Sequence, residues 1–299
     1  MLRTVKGTEV REQAAIARIF TAAVFHEMVK KGQSPIFARL MKELAVEVDK
    51  YTWSVGRILD ELFDLLKRKS FRNEYAYKTA VAQKVLLGSH SLRTASLVDE
   101  FRVGKNKADI VMLNGTSTAY EIKSDRDKLD RLYSQVVSYS EVFASVTVLC
   151  AERHLEAVVS IVPDFVGVSV LTDRYQISTF RKSFCDPSRT ISSSIFKAIT
   201  QREAIEVLKN LDVRVPSLPN TQMHSALDRE FVKIPSTIVH DEMVRVLKST
   251  RNLSGLSESV KSLPASIRFF ALTVPLTERT KGNLLDAIDT PLMEALKWG

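Results

Sequence analysis

Over residues 95–123 the hydrophobic spacing of this chain turns from helical to alternating, and that change restricts its fold more than any other feature. Residues 95–103 and 108–113 read as strands joined by Gly104–Lys105–Asn106–Lys107. Asn114–Gly115, the strongest short-range turn signal in the chain, then leads into a third strand over 118–123. A helix is expected over about 127–143. After it, the β-branched run 146–150 suits a strand buried on both faces. Residues 154–161 read as a helix, and 166–171 and 175–180 as two more strands. Upstream, a helix from Glu74 to about Leu87 ends at Gly88, a residue suited to a left-handed cap. Helix, hairpin, strand, helix, strand predicts an α/β core with a mixed sheet.

The flanks keep helical spacing. Val10, Ala14, Ile16, Ala17, Ile19 and Phe20 open a pattern that runs on to Met28. Ser34–Pro35 reads as an N-cap followed by proline at the first helical position, with Phe37, Leu40, Met41 and Leu44 behind it. A third helix carries Val55, Ile58, Leu59, Leu62, Leu65 and Leu66 and closes on Lys67–Arg68–Lys69, cations that suit a helix C-terminus. Past the core, helices are expected over 195–211, 223–231, 238–247 and 284–296. The chain therefore divides into a helical region 1–72, an α/β core 73–190 and a helical region 191–299.

Composition excludes several classes of protein. Hydrophobic residues at 45% and charged residues at 26% are ordinary for a globular chain and rule out a disordered tail or a collagenous repeat. Two cysteines, Cys150 and Cys185, without metal-ligand spacing exclude a local zinc site; free buried thiols are the expectation. The polar start and the lack of a long apolar run point to a soluble, cytoplasmic protein with no membrane partner. His26, His90, His154, His224 and His240 are scattered, which suits surface or capping roles. No phosphate-binding glycine loop and no Gly-x-Ser-x-Gly elbow is present. The net charge of +8 permits an anionic partner. Residues 1–73 carry +5 of it and 74–190 only +1, which makes the N-terminal helices the better candidate for gripping a phosphate backbone.

Chemistry concentrates at Lys107–Ala108–Asp109 and Tyr120–Glu121–Ile122–Lys123. Asp109 opens the second strand of the hairpin, and Glu121 and Lys123, two apart on the third, project to one face. Two converging carboxylates repel unless a cation joins them, and Mg²⁺ (or Mn²⁺) prefers such oxygen ligands with water and phosphate. Phosphodiester hydrolysis needs this set. Asp109 and Glu121 would hold the metal, Lys123 would orient the attacking water, and Glu74 would add a third carboxylate. The plain alternative is a surface hairpin with an ion pair across it.

These elements resemble the PD-(D/E)XK nuclease superfamily, the restriction-endonuclease-like fold. The resemblance rests on Glu74 on a helix, Asp109 on a hairpin and Glu121–Ile122–Lys123 on a strand, followed by Gln135–Val136–Val137–Ser138–Tyr139. Ala108 stands where the family's proline would be. Arg72–Asn73–Glu74–Tyr75, Glu100–Phe101–Arg102–Val103–Gly104, Lys107–Ala108–Asp109, Tyr120 to Asp125, Asp130–Arg131–Leu132 and Gln135 are similar to a bacterial family within it that is named after a locus tag. The resemblance covers roughly 73–180. It implies a metal-dependent nuclease acting on nucleic acid, DNA before RNA, in a setting of mobile elements or defence, with Gln135 facing the metal site. Lys105, Lys107, Arg126 and Arg131 are the weaker candidates for touching phosphate, Lys105 and Lys107 having a solvated turn as their alternative. Ser124–Asp125 reads as a cap for the next helix. A non-catalytic binding or assembly protein on the same scaffold is the competing reading. Protein partners stay open, a homodimer among them.

Overall fold

The computed structural model describes residues 9–44, 52–89, 92, 94–251, 260 and 262–299. The chain gathers into two compact units, Met1–Gln83 with Glu258–Gly299, and Lys84–Ser257.

In the first unit, α1 (Glu9–Ile19) and α2 (Ala22–Lys31) replace the single helix expected over 10–28. The Thr21 hydroxyl donates to the Arg18 carbonyl at 2.8 Å and so competes with helix continuation. Gly32 (φ 70°) ends α2 in the left-handed region, its N–H returning to the Met28 carbonyl. Ser34 caps α3 (Pro35–Leu44) as expected: its Oγ accepts the Phe37 N–H at 3.1 Å and donates to Glu27 Oε2 at 2.7 Å. The helix α4 (Val55–Leu66) packs Val55, Ile58, Leu59, Leu62 and Leu66 inward, matching the predicted stripe. Asn73 caps α5 (Glu74–Ala80) by accepting the Ala76 N–H. Tyr75 on that helix packs among Phe20, Phe63 and Phe269, and its hydroxyl donates to the Ser266 carbonyl at 2.6 Å. The helix expected over 284–296 is two, Glu278–Asp289 and Leu292–Ala295, with Pro291 between them.

The α5 helix passes into a π-helical turn, Val81–Leu86, and then α6 (Leu87–Ser89). Gly88 lies inside that last turn and is not a left-handed cap. Six strands follow: β1 (Ser96–Val103), β2 (Asn106–Leu113), β3 (Ser117–Lys123), β4 (Ser145–Cys150), β5 (Gly167–Leu171) and β6 (Ile177–Arg181). They form one mixed sheet in chain order, antiparallel from β1 to β3, parallel from β3 to β5, and antiparallel again at β6. Gly104 (φ 56°) and Gly115 (φ 67°) take the left-handed conformations that the two hairpin turns need. The parallel pairs β3–β4 and β4–β5 are joined through α7 (Leu132–Ser140) and α8 (Leu155–Ile161).

Every residue of β4 is buried, as its apolar run foretold. Ala119, Val146, Val148 and Cys150 join Leu132, Val136 and Tyr139 of α7 in one core, so α7 covers the sheet face to which odd-numbered residues of β3 project. Each fully buried valine or leucine there stabilises by about 1.5–3 kcal/mol over exposure. The helices α9 (Ser192–Ala198), α10 (Gln201–Asn210), α11 (Asn220–Val232) and α12 (Ser236–Thr250) extend that core with Ile195, Phe196, Leu208, Phe231, Met243 and Leu247. One helix was expected over 195–211. Thr200 divides it, because Thr200 and Glu203 form a capping box that starts α10.

Cys185 is exposed, against the expectation of two buried thiols; both cysteines are free. His154 and His240 are buried, not at the surface. His240, 1% exposed, joins a hydrogen-bonded chain: Ser117 Oγ accepts the Ala144 N–H and meets His240 Nε2 at 2.8 Å, and Asp241 meets Nδ1 at 3.0 Å. No helix among the described residues is long and apolar enough to cross a membrane.

Burial holds His240 below the ordinary histidine range, against the upward pull of Asp241. Below about pH 6.5 the unfolded chain takes up a proton at this residue while the folded chain still resists it. The residue therefore costs no stability at neutral pH and a growing amount as the pH falls. Urea denaturation between pH 7.5 and pH 5 (roughly, across the ordinary histidine range) should show a steeper loss for wild type than for His240→Gln. Parallel pH profiles would remove this role.

Candidate active site

Where β2 and β3 part, their pairing ends at Ile110–Tyr120. Asp109, the next residue toward the N-terminus of β2, lies within the strand as its fourth residue, where it had been expected to open it. Its Oδ2 accepts the Ile122 N–H at 2.6 Å, so the side chain takes over where the ladder stops. The β1–β2 ladder is irregular at the same point. It pairs Asp99 with Ile110 and Phe101 with Ala108, and skips Glu100, whose φ of 55° is a left-handed value rare for a non-glycine residue. Asp109 thus occupies a gap between two ladders and stays half-buried.

Glu121 and Lys123 project from β3 onto the face that α7 covers. Glu121 is 2% exposed and Lys123 8%. Lys123 Nζ donates to Glu121 Oε1 at 2.6 Å and to Gln135 Oε1 at 3.1 Å. The Tyr139 hydroxyl lies 2.9 Å from Glu121 Oε2 and 2.8 Å from the Lys107 carbonyl. Gln135 also acts on the Tyr139 phenol, so the four side chains are neighbours in one ring. Burial pushes the Tyr139 hydroxyl far above the ordinary phenol range, and the charge and hydrogen bond of Glu121, then the charge of Asp109, push the same way. Gln135 acts against them. Both carboxylates therefore act on one phenol.

The structure brings together Asp109, Glu121, Lys123 and Gln135. Glu74 belongs to the other unit, is exposed and pairs with the buried Lys78 at 2.8 Å. Lys105 is exposed on the first turn, and Lys107 is exposed and paired with Glu100 at 2.6 Å. Arg126 and Arg131 are exposed. Arg131 precedes α7 as its N-cap, while Gln135 one turn on is buried, so the two do not share an environment. The helix starts at Leu132, later than the expected 127, and Ser124–Asp125 does not cap it. Instead the Asp127 carboxylate accepts the N–H and hydroxyl of Ser124, which folds the segment into a closed turn. Tyr139, quoted from the sequence only as the end of Gln135–Val136–Val137–Ser138–Tyr139 and given no role there, belongs to this set through its bond to Glu121. Its spacing of four from Gln135, one helical turn, was the available signal.

Among the described residues, no three His, Cys, Asp or Glu side chains gather where they could hold a metal ion. The donor set at this point is two carboxylates, a buried ammonium, an amide and a phenol.

Removing the Tyr139 hydroxyl takes away the one proton that a buried carboxylate oxygen and a backbone carbonyl share. Tyr139→Phe should lower stability by about 1–3 kcal/mol in urea denaturation with the fold kept. A change below about 0.3 kcal/mol would mean that the hydroxyl carries none of the ring's stability.

A sequence family described as Bacteriophage P4 protein cII matches residues 67–261, a span that contains the whole sheet, the ring and α7. Protein cII of Enterobacteria phage P4 is 37% identical over 79 residues, which cover 26% of this chain and 30% of that protein. The match thus spans less than a third of the phage protein's length. No solved structure matches the chain. With the family matched over more than half of its length, the chain belongs to the bacteriophage P4 protein cII family.

Proposed function

We propose that this protein is a metal-dependent nuclease that hydrolyses phosphodiester bonds in DNA, on a restriction-endonuclease-like core of the PD-(D/E)XK kind. The observation that carries this reading is the buried Lys123–Glu121 pair on β3, beside a carboxylate on β2 at the point where the strands part. Charges are rarely buried for stability alone: removing an ion from water costs several kcal/mol even after relaxation, and apolar residues often serve a core as well. Their placement at the carboxyl end of β3, where parallel strands of α/β sheets present ligand sites, supports a chemical role.

The donors fit a hard divalent cation such as Mg²⁺ or Mn²⁺, since Asp109 and Glu121 supply carboxylate oxygens from adjacent strands. When bound, the metal would supply charge neutralisation at the phosphate and a more acidic water. Lys123, held by Gln135, would orient that water and stabilise negative charge on the phosphoryl oxygens. Tyr139 fixes the rotamer of Glu121. Glu74, in the other unit, is not needed for this set. The exposed Lys105, Lys107, Arg126 and Arg131 and the +5 of residues 1–73 would meet the phosphate backbone. The phage relative supports a mobile-element setting.

A closed ring with its polar groups paired would equally serve a core that only binds nucleic acid. The two readings separate in one assay. Purified protein with plasmid, linear DNA and RNA should cleave DNA in Mg²⁺ and not in chelator. Asp109→Ala, Glu121→Ala and Lys123→Ala should each lose at least about 100-fold in rate. Equal cleavage by wild type and all three variants would end the assignment. Salt-dependent binding without cleavage, unchanged in the variants, would establish the binding role instead.

A further inference from the structure

We propose that Lys123 is the resident counter-ion of Glu121, displaced when a divalent cation arrives, and that Gln135 is the positioning residue that receives it. The inference rests on the metal-dependent reading above and adds how the site is held before metal binds. A carboxylate as buried as Glu121 needs a cation beside it, and Lys123 at 2.6 Å is that cation. A metal ion on the same carboxylate would face an ammonium of like charge in a poorly screened interior. Lys123 must then loosen its hold, yet it is 8% exposed and needs an acceptor at hand.

That acceptor is in place. Gln135 Oε1 already accepts from Nζ at 3.1 Å, and an ammonium has three protons to redistribute. A neutral amide can keep the ammonium without bringing a charge that would compete for the metal. The second donor on Glu121 has the same provision. Tyr139 has one proton and two oxygens within reach, Glu121 Oε2 at 2.9 Å and the Lys107 carbonyl at 2.8 Å. It can release the carboxylate and still be satisfied. Each donor on Glu121 therefore has an alternative acceptor already in contact, and Glu121 can exchange partners with no side chain left unpaired. Released from the carboxylate, the ammonium is free to act on water or phosphate.

The test is Mn²⁺ binding by isothermal calorimetry at near-neutral pH, with no nucleic acid present, on wild type, Lys123→Met, Gln135→Leu and Asp109→Ala. Removing the competing charge should tighten Mn²⁺ binding by at least about tenfold in Lys123→Met. Removing the receiving acceptor should weaken it by about fivefold or more in Gln135→Leu. A Lys123 that only braced the site would give the opposite sign, so unchanged or weaker binding by Lys123→Met overturns the exchange while leaving the metal site standing. Circular dichroism checks the fold. Should Lys123→Met not fold, Gln135→Leu decides alone, since its ion pair is intact: unchanged or tighter binding overturns the proposal. If wild type binds no Mn²⁺ and Asp109→Ala is indistinguishable from it, the exchange and the metal-dependent reading fall together.

Discussion

The ion pair between Lys123 and Glu121 sets the terms for everything around it. Two charges taken out of water lose hydration that their mutual attraction restores only with close geometry and further hydrogen bonds. Here the pair is 2.6 Å long, Gln135 takes a second proton of the ammonium, and Tyr139 takes the second carboxylate oxygen. Both supporting residues come from α7, so that helix must lie over β3 in one register. Leu132 and Val136, interleaved with Gln135 and Tyr139 on α7, supply the apolar contacts that hold it there. The apolar core and the polar ring are thus one packing problem. Neither sets the position of α7 alone.

The sheet supplies what a helix bundle could not. Glu121 and Lys123 share a face because strand residues alternate, and β4, buried along its whole length, fixes the height of β3 through six paired positions. On the other side the constraint relaxes. The β2–β3 ladder stops at Ile110–Tyr120, and Asp109 turns its carboxylate to the Ile122 N–H. A fully regular ladder would have satisfied that N–H with a backbone carbonyl. The irregular Glu100 on β1, at the same level, shows that the departure reaches both neighbours of Asp109. Backbone kept in a sparsely populated conformation costs on the order of 1–3 kcal/mol and persists where the surroundings hold it.

Much of this was legible in the residues. The alternation over 95–123 and the two glycine turns located β1, β2 and β3 to within two residues, because both signals are local. The helix boundaries fared worse wherever a side chain competed with the backbone. Thr21 broke the first helix and Thr200 the one expected over 195–211, and Asp127 folded back on Ser124 where α7 was expected to begin. Thr200-x-x-Glu203 has the spacing of a capping box, which the apolar period over 195–211 does not register. Period counts see faces; they do not see one hydroxyl taking a carbonyl. His240 shows the same blindness over a longer range, since its partner Ser117 lies 123 residues away and no spacing rule connects them.

The site divides along the same line. Asp109, Glu121 and Lys123 could be named from the sequence because strand periodicity alone brings two of them together and a hairpin places the third close by. Gln135 and Tyr139 entered only through the family resemblance, because their place depends on how α7 crosses the sheet, which is a tertiary fact. Glu74 depended on more still, on a helix that belongs to a different unit, and there local reasoning had nothing to fix its place. Charge follows this order too. The region 74–190 holds cations and carboxylates in nearly equal number, and some of them meet one another, as Lys123 meets Glu121 and Lys107 meets Glu100. At Glu121 the carboxylate already has its cation, and a site built this way can open to an outside cation only if the inside one has somewhere to go.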